Sequence, residues 1–324
     1  MRTARIKLKH DAAVYHVIGR VVGGQFLLGE VEKEKLRLMI REHARFAGVE
    51  IITHCVMSSH FHILVRVPEL KDVPDAELVR RVGAYYKKSS PYRKLIEQTF
   101  REYGGKLPRD LREGLLCRMG DISFYMKELK QRYTKWFNKQ HGRFGTLWAE
   151  RFKSLLVEDS PAVVAKVAAY IDLNPVRAGL VEDPKDYRWC GYAEAAAGSK
   201  EARAGIGSFS EVTGWRSAGA AYRRLLFVKA GVSGRSDKGA IDRETIVHTL
   251  ATGGKLTAAE ALRVRVRYFT DGMALGSTEF VDSVFAEFRD HFGSRRKTGA
   301  RNLRGGNVFS NLASARSLRR APFG

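Results

Sequence analysis

Ile51-Ile52-Thr53-His54-Cys55-Val56-Met57-Ser58-Ser59-His60-Phe61-His62-Ile63-Leu64-Val65-Arg66-Val67 is the stretch that decides the fold. Two apolar runs flank the polar Ser58-Ser59 break, which predicts a β-hairpin. Side chains alternate faces along a strand, so Phe61, Ile63, Val65 and Val67 point toward a core while His60 and His62 share the opposite face. Two neutral imidazoles separated by two residues' rise, about 6–7 Å, can close on one divalent ion. The same spacing also suits two polar residues on a solvated sheet face, and H-x-H alone does not choose between them.

Working outward, residues 13–22 read as a strand before the Gly23-Gly24 break, and residues 31–47 as a helix carrying Val31, Leu36, Met39, Ile40 and Phe46. Residues 68–120 hold four prolines, Gly104-Gly105 and short helical pieces. They read as an insertion, because Leu78, Val79, Leu95, Ile96, Leu115 and Leu116 need a core of their own. Residues 122–140 keep a 3.6 period through Ile122, Tyr125, Met126, Leu129, Tyr133, Trp136 and Phe137, with Asp121 or Ser123 as cap. A strand follows at 152–158, then a helix opened by Ser160-Pro161 that must end near Asn174, ahead of Pro175. Strand, helix, strand, strand, helix, strand is the ferredoxin-like order, here with one helix added. The expectation is therefore an α+β domain over residues 1–200. It would be an antiparallel sheet with helices on one face, and His60 and His62 would lie on the open one. The Ala-, Gly- and Ser-rich stretch at 195–208 suggests a boundary. Residues 205–324 are expected to form a mainly helical, basic region, with periodic pieces near 217–230, 242–251, 257–268 and 278–291.

Charge narrows the partner. The 324 residues carry 57 Lys+Arg against 35 Asp+Glu, a net +22. Such an excess points to a polyanion, nucleic acid first and an anionic membrane surface second. No apolar run approaches the ~18 residues that span a bilayer. The basic Met1–Lys9 segment has no apolar run, and Cys55, Cys117 and Cys190 form no C-x-x-C pair. A cytoplasmic, nucleoid-associated location is expected. Arg295 to Gly324 carries eight cationic residues and no acid, and reads either as a solvated tail or as a phosphate-contacting one.

A second constellation lies on the last helix. Lys166, Tyr170 and Asn174 fall at i, i+4 and i+8 and form one stripe. A phenol is a possible nucleophile, an asparagine carbonyl is an oxygen ligand, and a lysine one turn away can hold a phosphate. Taken singly, Tyr170 also suits a core position, Asn174-Pro175 a plain turn, and Lys166 a solvated face.

The set closely resembles the REP-associated tyrosine transposases, a branch of the single-tyrosine HUH transposases. The resemblance is carried by His60-Phe61-His62, by Gly142-Arg143-Phe144-Gly145-Thr146-Leu147-Trp148-Ala149-Glu150-Arg151-Phe152-Lys153-Ser154 and by Tyr170-Ile171-Asp172-Leu173-Asn174-Pro175-Val176-Arg177-Ala178-Gly179-Leu180-Val181. The short aromatic segment Asp186-Tyr187-Arg188-Trp189 with Gly191-Tyr192 adds to it. It spans roughly residues 13–195. The resemblance implies metal-dependent cleavage and rejoining of single-stranded DNA through a 5′-phosphotyrosine. Tyr170 would be the nucleophile, and His60, His62 and Asn174 would hold Mg²⁺ or Mn²⁺. The implied substrate is single-stranded DNA bearing hairpins or palindromic repeats. The cations at Lys130, Lys135, Arg143, Arg151, Lys166, Arg295, Arg296 and Lys297 are candidates for DNA contact. Two alternatives stay open: a non-transposing HUH nickase or replication initiator, and a catalytically idle nucleic-acid-binding protein. Monomer and homodimer are equally compatible with the sequence, as are attack in cis and in trans.

Overall fold

Strand β1 (Ala13–Arg20) is apolar at nearly every position, and it is buried on both faces. A strand of that composition belongs in the middle of a sheet covered on two sides. The computed structural model, which describes residues 5–8, 12–69, 72–227, 262, 266–303, 309 and 311–316, places it there. Helix α1 (Glu30–Ala47) leads to β2 (Glu50–Val56), and Ser58-Ser59 turns the chain into β3 (His60–Val67). Helices α2 (Asp75–Tyr85), α3 (Pro91–Glu102) and α4 (Arg109–Leu116) form the insertion. Helix α5 (Ile122–Gln140), β4 (Lys153–Val157) and α6 (Pro161–Asp172) complete the expected order. The strands pair as β2-β3-β1-β4, all antiparallel. The α+β class read from the sequence holds.

Pleating sorts the strand residues into two cores. Tyr15, Val17, Phe61, Ile63 and Val65 face α1 and α5, while Val14, Leu64, Leu155 and Val157 face α6 and the later helices. Gly19 is required where β1 passes β3. Phe61 lies against it, and a Cβ there would come 2.3 Å from the ring. The insertion builds a third core from Leu78, Val82, Ile96, Leu115 and Met119 against Phe46 of α1. Leu95, expected inside, is instead exposed. Asp121 caps α5, accepting from the Ser123 and Phe124 N–H groups at 2.6 and 2.8 Å. Ser160 precedes α6 in extended conformation, but its side chain makes no capping bond.

The second face is not open. Past α6 come the short turn α7 (Asn174–Arg177), α8 (Gly191–Ala196), α9 (Lys200–Gly207) and α10 (Trp215–Phe227). Helices α11 (Tyr268–Asp271) and α12 (Thr278–Glu287) follow. Residues of α6, α8, α9, α10 and α11 join the core on the histidine side. The reason lies in that face itself, which carries Val14, Leu64, Leu155 and Val157 beside the histidines and would be costly to leave wet. Among the described residues, the region after residue 205 supplies helices as expected, and also three short strands. Strand β5 (Ala274–Gly276) runs parallel to β4, and β7 (Ala313–Ser314) and β6 (Arg301–Asn302) extend the same sheet. The segment beginning at Arg295 is thus partly built into the sheet. The periodic piece at 242–251 and most of that at 257–268 lie outside the described residues. Among the described residues, no helix is long and apolar enough to cross a membrane.

Candidate active site

Strand β3 opens on His60-Phe61-His62, and Phe61 anchors it in the α1/α5 core. The two imidazoles therefore take the other face, as the alternation requires. Sheet register adds a third histidine that the sequence did not single out. Leu64 pairs with His16 and His62 with Ile18, so His16 shares the face of His62, one pair along. The His16 and His62 rings stack at 5.1 Å with Nε2 of His16 2.8 Å from Nδ1 of His62, while Nδ1 of His16 lies 2.7 Å from the Phe269 carbonyl.

These contacts fix the tautomers. A carbonyl only accepts, so His16 Nδ1 carries the proton and donates to Phe269. His16 is wholly buried, and burial pushes its imidazole down to about 4. It is neutral at pH 7, so its Nε2 is an acceptor and His62 Nδ1–H donates to it. The lone pair of His62 is then on Nε2. Burial, followed by the neighbouring His16, His60 and Arg177, holds His62 well below the usual histidine range. A neutral imidazole oriented through its second nitrogen is the arrangement of a metal-binding histidine.

His60 lies across from His62 at 5.1 Å between ring centres, and its Nδ1 is 3.0 Å from Ser59 Oγ. An imidazole nitrogen binds at about 2.1 Å, which puts an ion about 3.3 Å from each ring centre, so rings this close can share one. Among the described residues, no three His, Cys, Asp or Glu side chains converge as a metal site. A third protein ligand would have to be an oxygen of another kind. Asn174, at the start of α7, carries one. Its Nδ2 donates back to the Ile171 and Tyr170 carbonyls at 2.9 and 3.4 Å, which identifies the other amide atom as the acceptor Oδ1. Two imidazole nitrogens with an amide oxygen would together suit Mg²⁺ or Mn²⁺.

Helix α6 brings Tyr170 to the same place. Its ring lies 6.5 Å from His62 and 6.3 Å from His16, edge-on to both. Phe269 of α11 covers it at 5.1 Å, and the Tyr170 side chain is 2 % exposed. Arg177 sits with its guanidinium carbon 4.0 Å from the ring centre. Its Nη2 donates to the Tyr170 carbonyl at 2.6 Å and its Nη1 to Leu262 O at 2.8 Å. The sequence placed Arg177 in the motif without a role; here it sets a permanent cation beside the phenol. Tyr133, Tyr125 and Tyr15 sit in the core. Tyr133 donates to Glu32 O and Tyr125 to Ile40 O from fully buried positions, and burial pushes both phenols up. Tyr15 is pushed up to about 12, with burial the largest cause.

The candidate DNA cations divide by orientation. Lys135, Arg143, Arg151, Arg295 and Lys297 are exposed. Lys130 folds over Trp148 and donates to Glu150 O at 2.7 Å, and burial lowers it to about 8. Lys166 turns to Asn311 Oδ1 at 3.0 Å. Arg296 donates to the Thr298, Gly299 and Ala315 carbonyls and lies over the rings of Phe285 and Phe292.

No family model matches the chain, and no curated protein matches it. A solved structure of a REP-associated tyrosine transposase bound to a REP hairpin is similar at 18% identity, with a TM-score of 0.38, over 61% of this chain and 86% of that one. A likeness that distant fixes no residue's role, and the geometry of the histidines and Tyr170 stands without it.

Proposed function

We propose that the chain is a metal-dependent DNA strand transferase of the single-tyrosine HUH kind, acting on hairpin-bearing single-stranded DNA. The observation that carries this reading is the contact of His60 with His62 on β3 and of His62 with Tyr170 on α6, with His16 orienting His62. Oη of Tyr170 attacks the scissile phosphorus, the P–O3′ bond breaks, and a 5′-phosphotyrosine and a 3′-OH result. A 3′-OH returning to the phosphotyrosine reverses the exchange and rejoins the strand. A divalent ion held by His60, His62 and Asn174 would supply charge neutralisation at the phosphate. Arg177 adds a fixed positive charge beside the phenol.

Burial of Tyr170 favours a second reading, a basic nucleic-acid-binding protein in which this tyrosine is a core residue. For cleavage, the packing that now buries Tyr170, Phe269 of α11 included, must open so that a phosphate can reach the hydroxyl. Incubating the protein with hairpin-bearing single-stranded DNA and Mn²⁺ separates the two. The transferase yields a covalent adduct at Tyr170 and the binding protein yields none.

A further inference from the structure

We propose that Phe26 and Phe144 form a two-ring platform on which unpaired bases of a DNA single strand stack, at the His60 end of the sheet. The proposal rests on the strand-transfer reading only for its placement beside the reaction centre. Phe26 is 82% exposed and Phe144 94%, the two most exposed large hydrophobic side chains among the described residues. Isolated exposed apolar residues need no explanation, but two nearly bare rings on adjoining loops do.

The loops are tied to each other and to the histidine turn. Val21 N–H donates to Ser59 O at 2.8 Å and Leu28 N–H to Ser58 O at 3.0 Å, so the Phe26 loop is held at both ends by the turn preceding His60. Val22 N–H donates to Leu147 O at 2.9 Å, Ala149 N–H to Arg20 O at 3.0 Å, and Val21 bridges Trp148. These bonds fasten the Phe144 loop alongside. Gly23, Gly24, Gly142 and Gly145 all have positive φ, so each loop turns where only glycine is comfortable and carries its ring on a defined backbone. Asn138 Nδ2 donates to Gly145 O at 3.0 Å and Arg143 N–H to Asn138 O at 2.8 Å, fixing the second loop to the end of α5.

The surrounding charge selects the occupant. Residues 20–29 and 139–153 carry Arg20, Lys139, Arg143, Arg151 and Lys153 against the single acid Glu150. Aromatic faces among cations match a nucleic-acid single strand, whose bases offer π-faces and whose backbone is anionic. Duplex DNA keeps those faces inside its own stack and gains nothing from the rings. A second copy of this chain would bring like charge to the same surface.

The test is fluorescence anisotropy with the full chain in excess chelator, so that binding is read whether or not the protein cleaves. The probes are a labelled mixed-sequence oligonucleotide of about 20 nucleotides and its blunt duplex. Phe26→Ala and Phe144→Ala should each weaken single-strand binding by about 5- to 100-fold, with the double variant weaker still and the duplex unchanged. The salt slope should stay constant because no ion pair is removed. Trp at either position should restore binding and Leu should not. Unchanged single-strand binding in the double variant overturns the proposal, as does an equal loss on duplex. A wild-type dimer that becomes monomeric in the double variant would also overturn it, because the rings would then belong to a contact between copies. Failure of the adduct experiment alone leaves these measurements standing and removes only the transferase reading.

Discussion

Replacing His16 by leucine should disable the proposed metal site without touching a ligand. His16 is wholly buried and makes two hydrogen bonds, to His62 at 2.8 Å and Phe269 at 2.7 Å. Leucine leaves the His62 Nδ1–H and the Phe269 carbonyl without those partners in the core, which costs about 1–3 kcal/mol for each group left unpaired. It also frees the His62 ring to rotate and to change tautomer, which should weaken Mn²⁺ binding about 10- to 100-fold. His16→Gln is the control. Its amide accepts from His62 through Oε1 and donates to Phe269 through Nε2, so it should recover most of the affinity. Calorimetric Mn²⁺ titration reads the effect directly, and adduct yield against Mn²⁺ concentration reads it in turnover, where added Mn²⁺ should rescue the leucine variant. Cooperative thermal melts confirm that both variants fold. If the leucine variant binds Mn²⁺ as wild type does, or if glutamine is no better than leucine, His16 does not orient His62.

Tyr170→Phe removes one hydroxyl, and it should abolish the covalent adduct while leaving DNA affinity within about twofold; an adduct that survives assigns the nucleophile elsewhere. His60→Ala, His62→Ala or chelation should each stop cleavage, with Asn174→Ala milder because water can replace one oxygen ligand; cleavage in excess chelator would remove the metal from the scheme. His43 is buried, and burial pushes it down to about 3, so the folded state stays neutral while the unfolded state takes up a proton as pH falls below about 6.5. Its contribution is intact above that pH and lost below it, by about 2 kcal/mol at pH 5; His43→Phe should show that much less acid loss in paired urea melts at pH 7 and 5, and equal losses would refute it. Deleting the chain from Arg295 would remove β6 and β7, so its role in DNA binding is better tested by neutralising exposed Arg295, Lys297 and Arg301. Removing one phosphate-bound cation should flatten the single-strand salt slope by about 0.7, and superimposable isotherms would mean that these side chains touch no phosphate.

Local chemistry was legible in the sequence. The 3.6 period over 122–140 gave α5 at Ile122–Gln140, and Asp121 caps it because its carboxylate reaches two orphan N–H groups. Alternation about Ser58-Ser59 gave the hairpin and put His60 and His62 on one face. The spacing of Lys166, Tyr170 and Asn174 put them on successive turns, although their partners differ. Lys166 turns to Asn311, Tyr170 meets the histidines, and Asn174, which opens α7 rather than continuing α6, donates to α6 carbonyls.

His16 was not legible, because a lone histidine in an apolar strand has no motif and its meaning comes from register with β3. Strands β5, β6 and β7 are two or three residues long, too short for any period, and exist only by pairing beyond β4. The sequence by itself determined which segments are helices and strands of the βαββαβ unit and that His60 and His62 lie opposite Phe61, since those depend on neighbours a few positions away; Val31, read with the apolar face of α1, is instead exposed. Tertiary structure alone decided that the histidine face is covered, that His62 is oriented through His16, and that Phe269 screens Tyr170. Those outcomes join residues as far apart as His16 and Phe269, 253 positions along the chain, and a pairing across that distance is set by the packing of the whole core, not by any local pattern.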